Sequence, residues 1–412
     1  MIRFIHTADI HFGMENYGKI DPITGIHSRL LDFAKALNIC IDAAIDNSVD
    51  FFLFSGDAYK THHPSQTQQK MLLECFLRLY KHNIPIVIVI GNHDHPLSFG
   101  KAHTLDLFNA LPVDGFHVFS KPDTITLHTK NGPINIVGIP WPTRNTVALS
   151  DRHKEKSAGE LTEYISQAVA QIITSKAQQL DPTIPAVLAG HLTVTTGIFS
   201  GSEKRAIYGN DPMLMPSQLA LAPFDYVALG HLHRHQNLNP SGYPAVVYSG
   251  SIERIDFGER KEEKGFCLVS IPEKNRAQYQ FIEVPTRPFI QIDVTLKDGP
   301  QTEQIVMALQ QYDLTDAIVK IVYTLPAGIK DCVDLKRIQS ACSTAMDLIG
   351  VIPIHTVSPR ETRGALKVSM DLHELLDTYF AGKPELRTKK DTLIEKALHL
   401  WQDHMEQQDE LP

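Results

Sequence analysis

Short runs of β-branched and aromatic residues recur through the first 230 residues, and four of them lead directly into a glycine. Runs of this length and composition are typical of buried strands. They are Ile2–His6, Phe51–Ser55, Pro85–Ile90, Ile134–Ile139, Ala186–Ala189 and Tyr226–Leu229. Because a strand buried on both faces must be covered by helices or by a second sheet, the pattern predicts a layered α/β fold.

A helical pattern separates the first two of these runs. Apolar residues there recur every three or four positions, which predicts a helix of about 18 residues that crosses from one parallel strand to the next. The apolar positions are Leu30, Leu31, Ala34, Leu37, Ile41, Ala44 and Ile45. A strand, a helix and a second strand in this order predict a βαβ unit.

Later strand patterns have little helical pattern between them. They are Val246–Tyr248, Phe266–Ser270 and Gln278–Val284. Strands joined without helices are expected to form a second, largely antiparallel sheet. Two stacked sheets with helices outside them predict a four-layer α-β-β-α sandwich over residues 1–285.

The pattern changes at Pro285–Pro288, where a β-α-β-α-β series begins. Strands are expected at Ile290–Leu296, Ile318–Tyr323 and around Ile352–Ile354, and helices at Ile305–Leu309 and Leu335–Leu348. Residues 286–362 are therefore predicted to form a small α+β domain. Residues 363–412 carry two amphipathic helical patterns with a break at Gly382 and Pro384. The apolar sides of these two helices are expected to pack either on the rest of this chain or on another protein.

The cysteines and the apolar runs indicate the cellular compartment of the protein. Five cysteines are scattered without CxxC spacing, which argues against a disulfide framework or a thiolate zinc site. They are Cys40, Cys75, Cys267, Cys332 and Cys342. The most concentrated apolar run, Ile84–Ile90, is too short to cross a bilayer, and no signal-peptide pattern precedes Asp9. A cytoplasmic location with no membrane contact is expected.

Five short polar motifs stand at or near the ends of predicted strands. They are Asp9-Ile10-His11, Gly56-Asp57, Gly91-Asn92-His93-Asp94, Gly190-His191 and Gly230-His231-Leu232-His233. Because the carboxyl ends of strands in α/β folds meet in one crevice, these side chains are expected to converge. Carboxylate, amide and imidazole groups without thiolate suit a pair of manganese, iron or zinc ions, and not calcium. Each motif alone is weak evidence, since a lone histidine after a strand is more often a structural residue.

The ordered series resembles the signature of calcineurin-like metallophosphoesterases over about residues 1–260. The resemblance implies two divalent ions, with Mn²⁺ expected first and Fe²⁺ or Zn²⁺ as alternatives. It implies that one ion is held by Asp9, His11, Asp57 and His233, and the other by Asp57, Asn92, His191 and His231. Asp57 would bridge them, because one carboxylate can serve two cations. His93 is expected to act on the phosphoryl group or the departing oxygen, with Asp94 orienting its ring.

Two flanking segments, Phe4–Gly13 and Gly250–Glu259, resemble SbcD-type nucleases in particular. That resemblance implies a DNA nuclease, a 3′ to 5′ exonuclease on duplex ends and an endonuclease on single strands or hairpins, in DNA repair, recombination and replication. It also implies that residues 286–362 are a capping domain that places DNA. Residues 363–412 would bind an SbcC-type coiled-coil ATPase, in a heterotetramer that contains a homodimer of this chain.

The residues that would contact DNA are less well defined. Some relatives place a histidine or aspartate three residues after the Gly-Asp motif, where this chain has Lys60, with His62 and His63 just beyond. The candidates for contact with DNA are Lys60, Arg144, Lys204, Arg205, Arg254 and Arg260. Each has the alternative of being an ordinary surface charge. The net charge of −8 is untypical of a protein that binds phosphate backbones.

Two other functions stay open. One is a calcineurin-like hydrolase of a cyclic nucleotide or a phosphoprotein. Against a protein phosphatase, Asp57-Ala58-Tyr59-Lys60 lacks the arginine of the GDxxDRG motif of those enzymes. Against a minimal cyclic phosphodiesterase, the residues beyond Val284 would have no function. The other is a scaffold that recruits a partner through the C-terminal helices, which is disfavoured because every expected metal ligand is present.

Overall fold

The computed structural model describes residues 1–95, 102–110, 113–143, 157–201, 211–356, 371–381, 383, 386 and 389–409. These residues divide by packing into two compact units. The first comprises residues 1–292, 306–321 and 335–351, and the second comprises residues 293–305, 322–334 and 352–412. The domain boundaries expected after residues 285 and 362 stay predictions. Within the described ranges, no helix has both the length and the apolar composition to cross a membrane.

The helices and strands alternate along most of the chain. In order they are β1 (Ile2–Thr7), α1 (Ser28–Asp46), β2 (Phe51–Phe54), α2 (Gln66–Lys81), β3 (Ile86–Val89), α3 (Asp106–Ala110), β4 (Phe116–Phe119), β5 (Asp123–Thr129), β6 (Gly132–Ile139), α4 (Ala158–Gln178), β7 (Ala186–His191), β8 (Thr193–Val194), β9 (Met213–Leu214), α5 (Pro216–Leu219), β10 (Tyr226–Gly230), β11 (Gln236–Asn237), β12 (Ala245–Tyr248), β13 (Gly265–Ile271), β14 (Gln278–Glu283), β15 (Phe289–Thr295), α6 (Gln301–Leu309), β16 (Ile318–Leu325), α7 (Leu335–Ala341), β17 (Asp347–His355), α8 (Leu372–Ala381) and α9 (Lys390–Asp409). Every strand expected in residues 1–285 is present, and the expected crossover helix is α1.

Two six-stranded sheets form the first unit. Their strand orders are β14-β13-β1-β2-β3-β4 and β11-β12-β10-β7-β6-β5. In the first sheet β1 to β4 are parallel, and β13 and β14 extend one edge in antiparallel pairs. In the second sheet β12, β10, β7 and β6 are parallel, and β11 and β5 pair antiparallel at the two edges. The expectation of one antiparallel sheet from β12, β13 and β14 is therefore wrong. β12 pairs parallel with β10 in one sheet, whereas β13 returns antiparallel along β1 in the other, because strand periodicity fixes which face is buried but not which strand is the neighbour.

Three apolar layers hold the two sheets and their helices together. Along β1, Phe4 faces the layer between the two sheets, and its neighbour Ile5 faces the layer under α1 and α2. On the second sheet, Leu188 faces the layer under α4, and Val187 faces the layer between the sheets. Successive residues of a strand point to opposite faces, so strands buried on both sides give this arrangement. The predicted four-layer α-β-β-α sandwich is confirmed.

Two of the covering helices, α2 and α4, begin with a serine cap that was not predicted from the sequence. The Ser65 hydroxyl accepts from the backbone N–H of Gln68, and the Gln68 side chain accepts from the backbone N–H of Ser65. Ser157 and Glu160 form the same reciprocal pair at the start of α4. Each pair satisfies two backbone donors that have no partner inside the helix, which fixes where the helix begins.

The strands β15, β16 and β17 form a separate three-stranded sheet, with α6 and α7 between them in sequence. The order of elements is as expected, but the helix predicted over Leu335–Leu348 is too long. The helix α7 ends at Ala341, and Asp347 already belongs to β17. Ser343 and Thr344 are weak helix formers, and the β-branched residues that follow favour a strand.

A buried histidine joins the two six-stranded sheets. His6, on β1, is fully buried, and its ring nitrogens lie 3.1 Å from the Tyr226 hydroxyl and 3.2 Å from the Leu229 carbonyl oxygen, both on β10. Burial lowers the pKa of His6 from 6.5 to about 3, although the hydrogen bond with Leu229 opposes the shift. The imidazole is therefore neutral in the folded protein near neutral pH.

We expect His6 to make the fold sensitive to acid. Unfolding lets His6 take up a proton below about pH 6.5, so its contribution is complete above that pH and falls towards pH 3, by up to about 1.4 kcal/mol per pH unit. Urea unfolding of the metal-free protein at pH about 7 and about 5 should show a smaller loss of stability in His6→Gln than in the wild type. The exposed His82→Gln is the matched control and should behave as the wild type. Equal acid losses in all three proteins would contradict this role.

Candidate metal centre

The polar motifs meet at one end of the sandwich. Asp9, Asp57 and Asn92 follow β1, β2 and β3 of the first sheet. On the second sheet, His191 ends β7 and His231 follows β10. Because these five strands are parallel within their own sheets, their carboxyl ends lie at the same edge. The convergence that the sequence predicts therefore follows from strand direction.

The backbone at several of these residues is left-handed. The φ angles are 54° at Asp9, 51° at His11, 60° at Asp57 and 107° at His231. Residues other than glycine rarely adopt this region, and each such residue costs on the order of 1–3 kcal/mol. Two hydrogen bonds hold the first two motifs in this shape, from the Asp9 N–H to the Gly56 carbonyl (2.9 Å) and from the His11 N–H to the Asp57 carbonyl (3.0 Å). The turns after β1 and β2 thus fix each other.

The carboxylate of Asp57 lies at the centre of the group. Its Oδ2 is 3.5 Å from Nε2 of His191, 3.6 Å from Nε2 of His11 and 4.0 Å from Nε2 of His93. Its Oδ1 accepts a 2.9 Å hydrogen bond from the backbone N–H of His93. Imidazoles from both sheets therefore surround one carboxylate that is almost fully buried.

The remaining members of the group are joined to this centre by short contacts. The Nε2 atoms of His11 and His233 are 3.1 Å apart. The Asn92 Oδ1 lies 2.9 Å from Nε2 of His191 and 3.2 Å from Nδ1 of His231. The structure thus brings together all seven residues expected as ligands, namely Asp9, His11, Asp57, Asn92, His191, His231 and His233.

The donor set fits divalent cations. Ligand atoms of Asp9, His11 and His233 lie within 4.8 Å of one another, and so do those of Asp9, Asp57 and His191. Burial raises the pKa of Asp9 to about 7, and the neighbouring Asp57 charge adds to the shift, although His191 and His233 oppose it. Two buried carboxylates side by side need positive charge between them, which divalent ions supply together with oxygen and imidazole coordination. The residues present therefore have the composition of a dimetal site.

His93 lies at the accessible side of the group. About a third of its side chain (32%) is exposed, in contrast to the 2% of Asp57. Its ring Nδ1 lies 2.7 Å from the Lys60 carbonyl oxygen, which makes Nδ1 the protonated nitrogen. The ring Nε2 is then free to face Asp57 and the substrate side.

The expectation that Asp94 orients the His93 ring is wrong. Asp94 is fully buried, and its carboxylate accepts three backbone hydrogen bonds, from Asp57 (2.9 Å), Ala58 (3.0 Å) and Gly91 (3.0 Å). These bonds use both carboxylate oxygens, and the Lys60 carbonyl is the partner of the His93 ring instead. Asp94 therefore positions the backbone that carries Asp57.

Three residues that lie near the site were not predicted from the sequence. Glu259 Oε1 lies 2.8 Å from Nδ1 of His233, and Trp141 packs on His231 with ring centroids 4.8 Å apart. A third residue, Asp211, has Oδ2 4.0 Å from Nε2 of His231. Trp141 follows the end of β6, so its strand-end position was a usable signal. Glu259 follows no strand, and only its place in the Gly250–Glu259 segment marked it.

Glu259 is an anion in spite of its burial. Burial alone would raise the pKa of Glu259, but the charge of Lys264 and the hydrogen bonds from Lys264 and His233 outweigh it and hold the pKa at about 2. Lys264 Nζ lies 2.8 Å from Glu259 Oε2. His233 therefore faces a charged carboxylate behind the ring.

The candidates for DNA contact have different outcomes. Arg144, Lys204 and Arg205 lie outside the described residues. Lys60 and Arg260 are half-buried, and Arg260 donates to the Phe257 carbonyl (3.0 Å), so their contact with DNA stays a prediction.

Arg254 is half-buried and hydrogen-bonded within the protein, and its contact with DNA stays a prediction. Its guanidinium donates to the Thr286 hydroxyl, to the Arg287 carbonyl (3.2 Å) and to the Glu262 carbonyl (3.0 Å). Backbone acceptors from a following segment therefore engage this side chain. Arg254 ties that segment to the turn after Gly250.

Comparison with known proteins assigns the family. The sequence matches the calcineurin-like phosphoesterases over residues 2–235, which is more than half of the chain. The chain belongs to the calcineurin-like phosphoesterase family. This phosphoesterase is thus a metal-dependent hydrolase of phosphoesters by family.

Matches among solved structures include two at low identity. One is a dimetal phosphatase from Danio rerio, at 11% identity and a TM-score of 0.40, which covers 68% of this chain and 95% of that chain. Another is a protein of Thermus thermophilus, at 12% identity and a TM-score of 0.34, which covers 68% of this chain and 98% of that chain. The family assignment of the phosphoesterase rests on the sequence match.

Gly91 sets how closely the turns after β2 and β3 approach. A Cβ at this position would lie 2.2 Å from Asp57 Oδ1 and 2.4 Å from the Asp57 backbone nitrogen. We expect Gly91→Ala to displace Asp57 and so to lower both the melting temperature and the affinity for Mn²⁺, measured by calorimetry. The matched control is Gly159→Ala in α4, where a Cβ meets nothing within 4 Å and alanine favours the helix. If both variants bind Mn²⁺ as the wild type does, the close approach is unimportant.

Proposed function

We propose that the protein is a two-metal DNA nuclease that degrades duplex ends from the 3′ side and cuts single strands or hairpins, in DNA end processing, repair and recombination. The observation that carries the hydrolytic part is the buried carboxylate of Asp57 with imidazoles of both sheets around it. The choice of DNA rests on the resemblance of Phe4–Gly13 and Gly250–Glu259 to SbcD-type nucleases.

We assign the ligands of two ions from these contacts. One ion would be held by Asp9, His11, Asp57 and His233, and the other by Asp57, Asn92, His191 and His231. Asp57 would be shared, because its Oδ2 lies within 3.6 Å of an imidazole nitrogen from each set. Mixed oxygen and imidazole donors favour Mn²⁺, with Fe²⁺ and Zn²⁺ as alternatives.

The chain's own residues define how the reaction would run. A pair of divalent ions, when bound, activates water as the nucleophile and stabilises charge on the attacking and leaving oxygens. His93 has its Nδ1 proton fixed by the Lys60 carbonyl, so a second proton, on Nε2, would let the ring donate a hydrogen bond to a phosphoryl oxygen or give that proton to the departing oxygen. Asp94 keeps the turn carrying Asp57 in place through its three backbone hydrogen bonds.

The test of the nuclease uses purified full-length protein with Mn²⁺ and a linear duplex. We expect degradation that a chelator stops, and a fall in kcat of about 10²- to 10⁴-fold in His93→Ala with Mn²⁺ binding unchanged. The exposed His63→Ala is the matched control and should keep wild-type rates. If His93→Ala degrades DNA as fast as the wild type, the role of His93 is wrong.

The same assay separates the alternative substrates. Hydrolysis of a cyclic nucleotide or a phosphopeptide, with no action on duplex or hairpin DNA, would replace the nuclease by another phosphoesterase. No hydrolysis of any phosphoester would favour a scaffold. Because phosphate contacts release counterions, DNA binding by a nuclease should also weaken steeply with salt, and a salt-independent affinity would argue against DNA despite the net charge of −8.

We further propose that α8 and α9 bind the coiled coil of an SbcC-type ATPase, in a heterotetramer containing a homodimer of this chain. Supporting this, three large apolar side chains are exposed on these helices, namely Tyr379 (54%), Leu400 (65%) and Trp401 (51%). Free, mostly buried cysteines support a reducing, cytoplasmic setting.

Removal of residues 364–412 is expected to abolish binding to such an ATPase and to leave Mn²⁺ binding intact. A sharper variant is Leu400→Lys, which places a charge on the exposed apolar surface and should weaken binding at least tenfold in a pull-down or by calorimetry. Met307→Lys on α6 is the matched control, because Met307 is equally exposed (67%). Full binding by the truncated chain would refute the assignment.

A further inference from the structure

We propose that Glu259 and Lys264 act as a positioning pair for His233, and that this pair makes the metal position built on His233 the tighter of the two. The inference rests on the proposed two-metal site. Neither residue is among the ligands assigned above, and neither follows a strand of the site. Their contact with His233 is what gives them a role in the chemistry.

The pair is enclosed and is fixed at both ends. Both side chains are fully buried, and Lys264 Nζ lies 2.8 Å from Glu259 Oε2. The other carboxylate oxygen, Oε1, lies 2.8 Å from Nδ1 of His233. Lys264 also donates to the His233 backbone carbonyl (2.9 Å), and the Ile255 N–H donates to Glu259 Oε2 (3.0 Å). The pair therefore holds both the ring and the backbone of His233.

This contact decides which way the imidazole presents its lone pair. Because the Glu259 carboxyl is already held by the Lys264 ammonium and the Ile255 N–H, its Oε1 is placed as an acceptor, so the facing Nδ1 carries the ring proton and Nε2 is left with the lone pair. That Nε2 lies 3.1 Å from Nε2 of His11, on the side where an ion would sit. A carboxylate behind a ligating imidazole fixes its tautomer and raises its basicity, and both effects strengthen metal binding.

The other metal position lacks an equally strong support. His191 has its Nδ1 at 2.8 Å from the Ser55 carbonyl, a neutral acceptor. His231 has Asp211 at 4.0 Å, which is beyond hydrogen-bond distance. Hydrogen bonds to charged acceptors are about twice as strong as neutral ones. Among the assigned ligand histidines of the described residues, only His233 thus has a carboxylate from outside the ligand set within hydrogen-bond distance of its ring.

The charges of the ligands also favour tighter metal binding at the His233 position. The His233 position would use the carboxylates of Asp9 and Asp57, whereas the second would use Asp57 and the neutral amide of Asn92. A buried ion pair is also not needed for stability in general, since apolar residues of similar volume often serve as well. Its location directly behind one ligand therefore indicates that it sets that ligand's position.

The test is a calorimetric titration of the metal-free, full-length protein with Mn²⁺. The wild type should bind two ions with different affinities. The double variant Glu259→Gln with Lys264→Met keeps the shape but removes both charges, and it should weaken the tighter ion by about 10- to 100-fold while the weaker ion binds as before. The Mn²⁺ concentration that half-activates hydrolysis should rise, and the rate at saturating Mn²⁺ should be largely retained.

A matched control is Glu262→Gln. The Glu262 carboxylate also contacts Lys264 (3.1 Å), but among the described hydrogen bonds none joins the Glu262 side chain to His233. It should bind Mn²⁺ as the wild type does.

The single variant Glu259→Gln leaves a buried lysine without its carboxylate, and if it fails to fold, the double variant decides the question. A folded double variant that binds both ions as the wild type does, or a Glu262→Gln variant with the same loss, would overturn the proposal. A wild type that binds no pair of ions would instead refute the two-metal function itself.

Discussion

The structure around the site depends on the burial of Asp57. A carboxylate removed from water is costly unless hydrogen bonds or cations compensate its charge. One oxygen of Asp57 receives a backbone N–H from His93, and the other faces three imidazole nitrogens. The left-handed turns, the close approach of Gly91 and the backbone hydrogen bonds that the Asp94 carboxylate accepts all serve to place this one group. Removing any of them displaces the centre to which the other ligands are joined.

Much of the fold could be predicted because strand periodicity records burial directly. Phe4 and Ile5 face opposite layers, as an apolar run buried on both sides requires. The meeting of the seven polar residues was also predictable, since strand direction brings carboxyl ends to one edge. Sheet membership was not predictable in the same way. The partners of β12 and β13 are set by how the chain returns after residue 248, and local patterning carries no information on that path.

The misjudged residues have a common cause. Asp94 stands next to His93 in sequence, yet its carboxylate turns to backbone donors of the neighbouring loop. Glu259 follows no strand and contacts a ligand 26 residues earlier in the chain. The partner of a polar side chain is set by tertiary structure, so residue type and spacing identify candidates and not their contacts.

The division of the ligands between the two sheets has a thermodynamic consequence. The first sheet supplies Asp9, His11, Asp57 and Asn92, and the second supplies the three remaining imidazoles. Any ion held by both groups cross-links two layers that also meet through apolar packing and through hydrogen bonds such as those of His6. Because a ligand that binds only the folded state stabilises it by mass action, the resistance of the sandwich to heat should follow the supply of free metal in its surroundings.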